Sequence, residues 1–349
     1  MKKVTLISGK TETNKTKGYL FKQTNEMIQK GENILFLDSK EEYYKEYSAL
    51  LKEKGYEIVV LNLKEPNKGN AYNPFTLPYN YYQSDKDKAY ELLQKISYAL
   101  CKEEKQTNDP FWENMASDLV TGLGMILFKE ADIDRINLGS INVAINLCIN
   151  EIDLLTSYLD TLDVNDPIYT CASGTLFAPA DTRGSIISVV RQKMSLYCLR
   201  ENLMNMMSTT DFDISSLGKN KTAIFVIARD DSKGINNIAN IFIEQIMSLV
   251  IFEKRQFNFV LDNIDTINSL NCLGNMIDMQ SDRIRLFIAT RDANNLKEKY
   301  YSNIFANVNE IIDTNKEQYE NIEKKNKPLD MPENKVKAEY FDLKKHLEK

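Results

Sequence analysis

The spacing of apolar residues changes twice along the chain. In the first third, short apolar runs at residues 4–8, 33–38 and 57–61 predict buried strands. Between them, segments 15–29 and 41–54 have the composition and end signals of helices. Strands that alternate with helices favour parallel βαβ units, so this region predicts a parallel sheet with helices packed against it.

The middle of the chain has a helical spacing from about residue 85 to residue 205. Its first helix is predicted from four apolar residues at the 3.6-residue period, Leu92, Leu93, Ile96 and Leu100. Asp109 and Pro110 predict the start of another helix, because Asp caps a helix and proline fits its first turn. We therefore predict an all-helical domain inserted into the α/β domain.

Strands return in the last third, at residues 222–228, 257–262, 285–290 and 310–313, with a helix at 235–252. They complete the sheet that begins at the N-terminus, so the predicted fold class is α/β, with a mainly parallel twisted sheet. Lys, Glu and Asn dominate from Lys316 onward, which predicts a charged, partly mobile tail. The predicted boundaries are 1–84 and 209–315 for the α/β domain, 85–208 for the helical domain and 316–349 for the tail.

Composition narrows the class of protein. A chain of 349 residues with 43% hydrophobic residues suffices for about two domains and a substantial core. The formal net charge of −6 gives no support to a non-specific nucleic-acid surface, so DNA handling would need a local positive channel. Five scattered cysteines without C-x-x-C spacing favour reduced thiols in a cytoplasmic protein. The single histidine, His346, lies in the predicted tail, which excludes histidine-based catalysis.

The first predicted strand begins at residue 4, which leaves no room for a signal peptide. No apolar run reaches the roughly 18 residues that span a bilayer. We expect a cytoplasmic chain without a transmembrane segment.

Residues 9–16 read Gly-Lys-Thr-Glu-Thr-Asn-Lys-Thr and follow a predicted strand, as in the phosphate-binding loop G-x-x-x-x-G-K-[ST]. Gly9, Lys15 and Thr16 keep the residues that wrap phosphate, reach its outer oxygens and hold Mg²⁺. Asn14 replaces the second glycine, and Asn is the non-glycine residue that best tolerates positive φ. Glu12 places a negative charge where phosphate would lie. The segment predicts an ATP and Mg²⁺ site with weakened binding.

Asp262 ends the apolar strand 257–262, where a phosphate-loop fold places a Mg²⁺ ligand. The alternative is an ordinary Asp that caps the next turn. An active hydrolase of this type has Glu next, but this chain has Asn263, whose amide cannot accept a proton. Asp265 is a weak substitute, since a shift of two residues moves a carboxylate by several ångströms. Weak hydrolysis is therefore expected.

Further segments, taken with the loop at 9–16, resemble the motifs of one family. Asp38-Ser39-Lys40-Glu41-Glu42 is similar to its Asp-Pro-Lys-Gly-Glu segment, and Leu261-Asp262-Asn263-Ile264 stands where it has Leu-Asp-Glu-Phe. The remaining matches are an Asn-Pro turn, the start of a helical domain and a late strand and helix, at 72–75, 109–112 and 221–245. The chain thus resembles the coupling ATPases of conjugation and type IV secretion, the VirD4/TraG class.

This resemblance implies a RecA-like P-loop NTPase fold and a homo- or hetero-hexameric motor with ATP bound between subunits. The motor would feed single-stranded DNA, a relaxase–DNA complex or protein to a type IV secretion channel. Arg283 would match an arginine finger that acts across the subunit interface, although Arg283 and Arg285 equally suit a solvated turn. Where the family has a phosphate-sensing Gln, this chain has Thr290-Arg291-Asp292.

Family members also have an N-terminal membrane anchor, which these residues lack. The chain is then either a truncation or a soluble paralogue, in the cytoplasm or peripheral at the inner face of the membrane, where a membrane-anchored subunit is an expected partner.

Three functions stay open at this point. In a motor, Lys15 neutralises phosphate, Thr16 and Asp262 hold Mg²⁺, and Arg283 reaches a neighbour's nucleotide. A non-catalytic relative would keep the fold as a nucleotide-binding, scaffold or recruitment module of the conjugation apparatus, since fold does not fix function. The third alternative is an unrelated phosphate-loop enzyme.

Overall fold

The computed structural model describes residues 4–9, 18–101, 109–229, 232, 234–266, 273, 283–291, 308–313 and 328–348. The chain forms two compact units. The first contains Met1–Asn70 and Phe212–Glu333, and the second contains Ala71–Asp211 and Asn334–Lys349.

The first unit is built on a seven-stranded sheet in the order β3-β4-β2-β5-β6-β1-β7. Every pair of neighbouring strands is parallel. This confirms the predicted α/β class. The strands are β1 (Val4–Ser8), β2 (Asn33–Leu37), β3 (Glu57–Asn62), β4 (Thr222–Ile227), β5 (Phe257–Leu261), β6 (Ile284–Thr290) and β7 (Glu310–Asp313).

The central strands are continuous apolar runs because helices cover a parallel sheet on both faces. Three helices of this unit are described, α1 (Phe21–Lys30), α2 (Glu42–Glu53) and α11 (Asn237–Val250). An aromatic cluster joins α1 and α2 to the sheet, with Tyr43 of α2 stacked on Phe36 of β2 at 4.9 Å between ring centroids. Helix α1 is followed by Gly31, whose φ of 68° is the left-handed conformation that glycine favours just after a helix.

The second unit is helical. Its helices are α3 (Thr76–Tyr82), α4 (Lys86–Cys101), α5 (Phe111–Glu130), α6 (Leu138–Asn150), α7 (Ile152–Asp160), α8 (Pro167–Leu176), α9 (Ala180–Cys198), α10 (Glu201–Met206) and α12 (Leu343–Leu347). Helix α5 is central and begins as predicted after Asp109, which accepts a hydrogen bond from the Phe111 N–H at 3.0 Å. Gly122 allows α5 to pack closely on α8, since a Cβ at this position would lie only 2.9 Å from Ala172 Cβ.

The helical unit begins at Ala71, earlier than the predicted boundary at residue 85. The reason is the Asn-Pro turn at 72–75. The Tyr72 N–H donates to Met206 O at 2.9 Å, and Asn73 Nδ2 donates to Ile136 O at 2.6 Å. These bonds hold the turn, and α3 after it, on the helical unit.

The C-terminal residues also differ from the prediction of a charged, partly mobile tail at 316–349. Residues 334–348 pack on the helical unit, with Phe341 and Leu343 buried. Two buried apolar side chains outweigh the charged composition of the surrounding residues. The part of the predicted tail at 316–327 lies outside the described residues.

Among the described residues, no single helix is long and apolar enough to cross a membrane. Helices α6 and α7 taken together pass the length and composition criterion, but they are bent by 100° where they meet.

Candidate functional site

The predicted phosphate loop and the predicted acid lie at one edge of the sheet. Gly9 follows β1, Asp262 follows β5, and β6 lies between these two strands. The Gly9 N–H donates to Thr290 O at the end of β6, at 3.4 Å. Two strand spacings separate β1 from β5, or about 10 Å. Asn14, Lys15 and Thr16 lie outside the described residues.

Asp262 is half-buried, and a tyrosine fixes its position. The Tyr43 hydroxyl donates to Asp262 Oδ2 at 3.2 Å. Burial, followed by the charge of Asp262, raises the pKa of Tyr43 well above its ordinary value, so the phenol stays protonated and remains a donor. The ring cannot turn away because it is packed among Phe21, Phe36 and Tyr47.

A second carboxyl lies at the end of the neighbouring strand. Asp38 follows β2, whose Leu37 pairs with Leu261 of β5. Asp38 is only 2% exposed and accepts a hydrogen bond from the Tyr44 N–H at 2.8 Å. Burial, assisted by the charge of Asp262, raises the pKa of Asp38 to about 7. Sequence reasoning did not single out Asp38 as a site residue, although it shares with Asp262 the signal of an acid directly after a buried strand.

Asp265 ties the turn after β5 to the end of β6. Its carboxylate accepts hydrogen bonds from the Thr290 hydroxyl at 3.0 and 3.1 Å and from the Arg291 N–H at 2.9 Å. Thr290 is fully buried. The carboxylate that sequence reasoning weighed as a substitute base is therefore engaged in a structural contact.

Two turns at this edge hold backbone strain. Within the described part of the chain, the non-glycine residues with positive φ are Glu41 at 60° and Asn263 at 55°. They follow the neighbouring strands β2 and β5. Glu41 stands where the resembled motif has glycine, and its left-handed conformation costs about 1–2 kcal/mol. Such strain clusters at functional sites, where the surrounding structure maintains it.

Arg283 lies at the opposite edge of the sheet. Its carbonyl accepts from the Phe257 N–H at 2.8 Å, and its Nη1 donates to Glu253 O at 3.4 Å. The seven residues of β6 separate this edge from Thr290, a distance of about 20 Å. Arg283 and Asp262 of one chain therefore cannot contact the same nucleotide phosphate.

The alternative of a solvated turn is wrong for Arg285. Arg285 is 7% exposed and forms an ion pair with Glu32, which also accepts from Asn258 Nδ2 at 3.2 Å. The pair joins β6, β5 and the residue before β2 at the edge where these strands begin.

The carboxyl edge suits Mg²⁺ by its donor chemistry. Asp262 offers carboxylate oxygens at a half-buried position. Across the described residues, no group of three or more His, Cys, Asp or Glu could hold a metal, so no all-protein cage is formed there. Mg²⁺ commonly binds through one or two carboxylates together with substrate phosphates, and the edge fits this mode.

Comparison with known proteins places the chain. The family model described as "Type IV secretory system Conjugative DNA transfer" matches residues 4–324. No curated protein sequence matches.

Solved structures of coupling proteins have a similar fold. The unbound monoclinic form of the bacterial conjugative coupling protein TrwBdeltaN70 has 16% identity and a TM-score of 0.57, over 87% of this chain and 65% of that chain. Plasmid coupling protein TrwB in complex with the ATP analogue ADPNP has 14% identity and a TM-score of 0.62, over 88% and 69%. TrwB in complex with ADP and Mg²⁺ has 14% identity and a TM-score of 0.54, also over 88% and 69%. The chain thus spans about two thirds of these structures, and the likeness shows a RecA-like P-loop fold.

Proposed function

The chain belongs to the type IV secretory system conjugative DNA transfer family, the VirD4/TraG class of coupling proteins, and we propose that it binds ATP with Mg²⁺ but hydrolyses it slowly. In this role it recruits DNA or protein substrate to a secretion channel, or helps to transfer it. One observation supports slow hydrolysis best: the carboxylates near Asp262 are engaged in structural contacts.

A hydrolase needs a carboxylate that can take a proton from water. Asp265 binds Thr290 and Arg291, and Asp38 is buried against the N-terminus of α2. The residue after Asp262 is Asn263, whose amide orients water without accepting its proton. Asp262 therefore remains as the proposed Mg²⁺ ligand at this edge, while none of the described residues beside it is placed to act as the general base.

Magnesium would supply charge neutralisation for the phosphates when it is bound. Thr16 and Asp262 are the residues proposed to hold it, with Gly9 and Asn14 contributing backbone N–H groups to the phosphates. Lys15 would neutralise the outer phosphates. Tyr43 keeps the Asp262 carboxylate in one orientation through its hydrogen bond.

The proposed role of Arg283 depends on assembly of the chain into a hexamer. Because it lies about 20 Å from the carboxyl edge of its own sheet, it would act on the nucleotide of a neighbouring subunit in a hexamer. The proposed partners are single-stranded DNA or a relaxase–DNA complex and a membrane-anchored channel subunit. The proposed location is the inner face of the membrane.

The test combines binding and turnover. A fluorescent ATP analogue is titrated with and without Mg²⁺, and phosphate release is measured with and without single-stranded DNA. We expect Mg²⁺-dependent binding that Lys15→Ala abolishes, together with slow release. Rapid release by the unmodified chain would overturn the proposal of weak hydrolysis.

Restoring the base sharpens the test. Asn263→Glu should raise phosphate release by roughly 10-fold or more, since a general base contributes about 10²–10⁴-fold and the positive φ at this position opposes a longer side chain. Gln has nearly the same shape as Glu but cannot accept a proton, so Asn263→Gln should leave phosphate release unchanged. An equal rise in both variants would mean that side-chain shape limits turnover.

The alternative function is a scaffold or recruitment paralogue that does not use nucleotide. The replacement of the second loop glycine by Asn14 and the negative charge of Glu12 favour it. In that case the analogue would not bind, and Lys15→Ala would change nothing.

A further inference from the structure

Residues 334–342 lie on the helical unit as a segment without helix or strand that leads into α12 (Leu343–Leu347). The exposure of their side chains alternates. Asn334, Val336 and Ala338 are half-buried, whereas the side chains between them are exposed. Period-two alternation is the pattern of an extended chain with one side against a surface. This segment thus lies against the helices as a bound peptide would.

Side chains of the helical unit bind the backbone of this segment. The Ala338 N–H donates to Asn205 Oδ1 at 3.1 Å, and Asn137 Nδ2 donates to Glu339 O at 2.6 Å. The Phe341 N–H donates to Ser140 Oγ at 2.8 Å. Contacts to backbone atoms are independent of the bound sequence, so they suit more than one peptide.

Two apolar side chains anchor the segment. Phe341 is 8% exposed and Leu343 is fully buried. The neighbouring Tyr340 ring lies directly over Gly139, where a Cβ would come within 1.9 Å of Tyr340 Cε1. The ring is 47% exposed, so it covers Gly139 from the solvent side, and a side chain at position 139 would displace the ring.

Acidic side chains of the helical unit contact the side chains of Lys344 and His346 at the end of the segment. Lys344 forms an ion pair with Glu151, and His346 Nε2 lies 3.0 Å from Glu130 Oε2. The Tyr158 hydroxyl donates to Glu130 Oε1 at 2.8 Å and orients that carboxylate. Along the segment from Ala338 to His346, the surface therefore contacts backbone atoms, then two apolar anchors and then a basic end.

We propose that this groove, formed by Asn137, Gly139, Ser140, Asn205, Glu130 and Glu151, is a recognition site for extended protein segments. Its ligands would have an aromatic residue, an apolar residue two positions later and basic residues after it. Residues 334–348 occupy the groove as an intramolecular ligand, and a partner protein's segment of the same chemistry displaces them.

Two observations favour an exchangeable ligand. The family match ends at residue 324, so the bound segment lies beyond the part of the chain that the family defines. Within residues 334–348, only Phe341 and Leu343 are buried, and the remaining side chains are half-buried or exposed. The site is independent of the proposed nucleotide site, because no residue of the groove belongs to the sheet unit.

The experiment uses the full chain and a fluorescein-labelled peptide of residues 334–349, with binding followed by fluorescence polarisation. In the variant Phe341→Ser with Leu343→Ser the native segment loses both anchors and leaves the groove. We expect the labelled peptide to bind this variant at least 10-fold more tightly than it binds the unmodified chain. The matched control, Lys337→Ser with Glu339→Ser, changes two exposed side chains of the same segment and should bind the peptide as the unmodified chain does.

Two further measurements make the outcome decisive. Adding Gly139→Ala to the double variant should weaken peptide binding several-fold, because the new Cβ displaces the tyrosine ring from the helix surface. Lys344→Glu leaves the buried anchors intact and repels Glu151, so it should tighten peptide binding several-fold even if the double variant fails to fold. If peptide binding is equal in the unmodified chain, the folded double variant and Lys344→Glu, or is insensitive to Gly139→Ala, the groove is not a recognition site.

Discussion

The two edges of the central sheet have opposite electrostatic arrangements. At the edge where strands begin, the buried Arg285 and Glu32 neutralise each other and Asn258 binds Glu32. At the edge where strands end, the carboxyl groups of Asp38 and Asp262 lie after neighbouring strands, next to two turns with positive φ. In the first arrangement each buried charge is compensated by the other. The second costs stability, and such a cost is expected at the edge where Mg²⁺ and phosphates are proposed to bind.

Disrupting the ion pair of Arg285 and Glu32, at the edge of the sheet where strands begin, should have the largest effect on stability. Arg285→Ala leaves Glu32 as an unpaired, largely buried charge, so we expect a loss of about 3–5 kcal/mol in the free energy of unfolding. Urea unfolding measures it. Arg283→Ala at the same edge removes an exposed guanidinium and should cost less than about 0.5 kcal/mol. Equal losses in the two variants would contradict the distinction between a buried pair and an exposed cation.

At the ending edge, loss of a hydroxyl should impair ligand binding more than folding. Tyr43→Phe frees the Asp262 carboxylate, so Mg²⁺-dependent binding of the ATP analogue should weaken by about 10–100-fold, as when other partners of metal ligands are removed. Titration of the analogue at fixed Mg²⁺ measures it.

Tyr47→Phe is the matched control for that variant. Its hydroxyl donates to Phe21 O at 3.2 Å from the same helix, away from Asp262. Each variant should lose about 0.5–1.5 kcal/mol of stability, but only Tyr43→Phe should change the response to Mg²⁺. The same change in both would show that Tyr43 acts through packing alone.

The burial of Asp38 predicts a pH dependence of stability. The pKa of Asp38 is raised to about 7 in the folded chain, above its value when unfolded. Its contribution to stability is therefore fully present below about pH 4 and is lost as pH rises through about 7, with a slope of at most about 1.4 kcal/mol per pH unit. Asp38→Asn removes the titrating group. The difference in unfolding free energy between the two proteins, measured from pH 4 to pH 8, should change in this sense, and a constant difference would refute the shift.

The smallest expected effect is relief of strain. Glu41→Gly should stabilise the chain by about 0.5–1 kcal/mol, because glycine adopts positive φ without a steric penalty and this gain exceeds the lost contact with Lys45. Lys45→Gly, in the interior of α2, should destabilise by about 1 kcal/mol. Thermal unfolding of both variants distinguishes the signs. Destabilisation by Glu41→Gly would mean that the side chain of Glu41 has a structural role beyond its ion pair.

Sequence reasoning located the strands well because a buried parallel strand is a continuous apolar run. The run at 33–38 became Asn33–Leu37, and the run at 257–262 became Phe257–Leu261. The order of the strands could not be predicted, because an apolar run does not indicate which strands lie beside it in the sheet. The position of β6 between β1 and β5 is therefore a structural finding. The edge on which Arg283 lies could have been predicted, since a residue before a parallel strand lies at the beginning edge.

The contacts of the site were harder to predict. That Tyr43 reaches Asp262, and that Asp265 binds Thr290, depends on where side chains point after irregular turns. Composition also misrepresents a short segment that contains two anchors. Phe341 and Leu343 are a small fraction of the charged residues around them, yet they decide where residues 334–348 lie.

The position of β1 has a consequence for how the protein is made. Both neighbours of the first strand, β6 and β7, come from residues 284–313, so β1 leaves the ribosome long before any partner strand exists. Its unpaired backbone N–H and C=O groups and its apolar side chains stay exposed while most of the chain is synthesised, which makes it prone to aggregation and to binding by chaperones. A chain that stops before β6 cannot seat Gly9 against Thr290, so products of incomplete translation are excluded from forming the site.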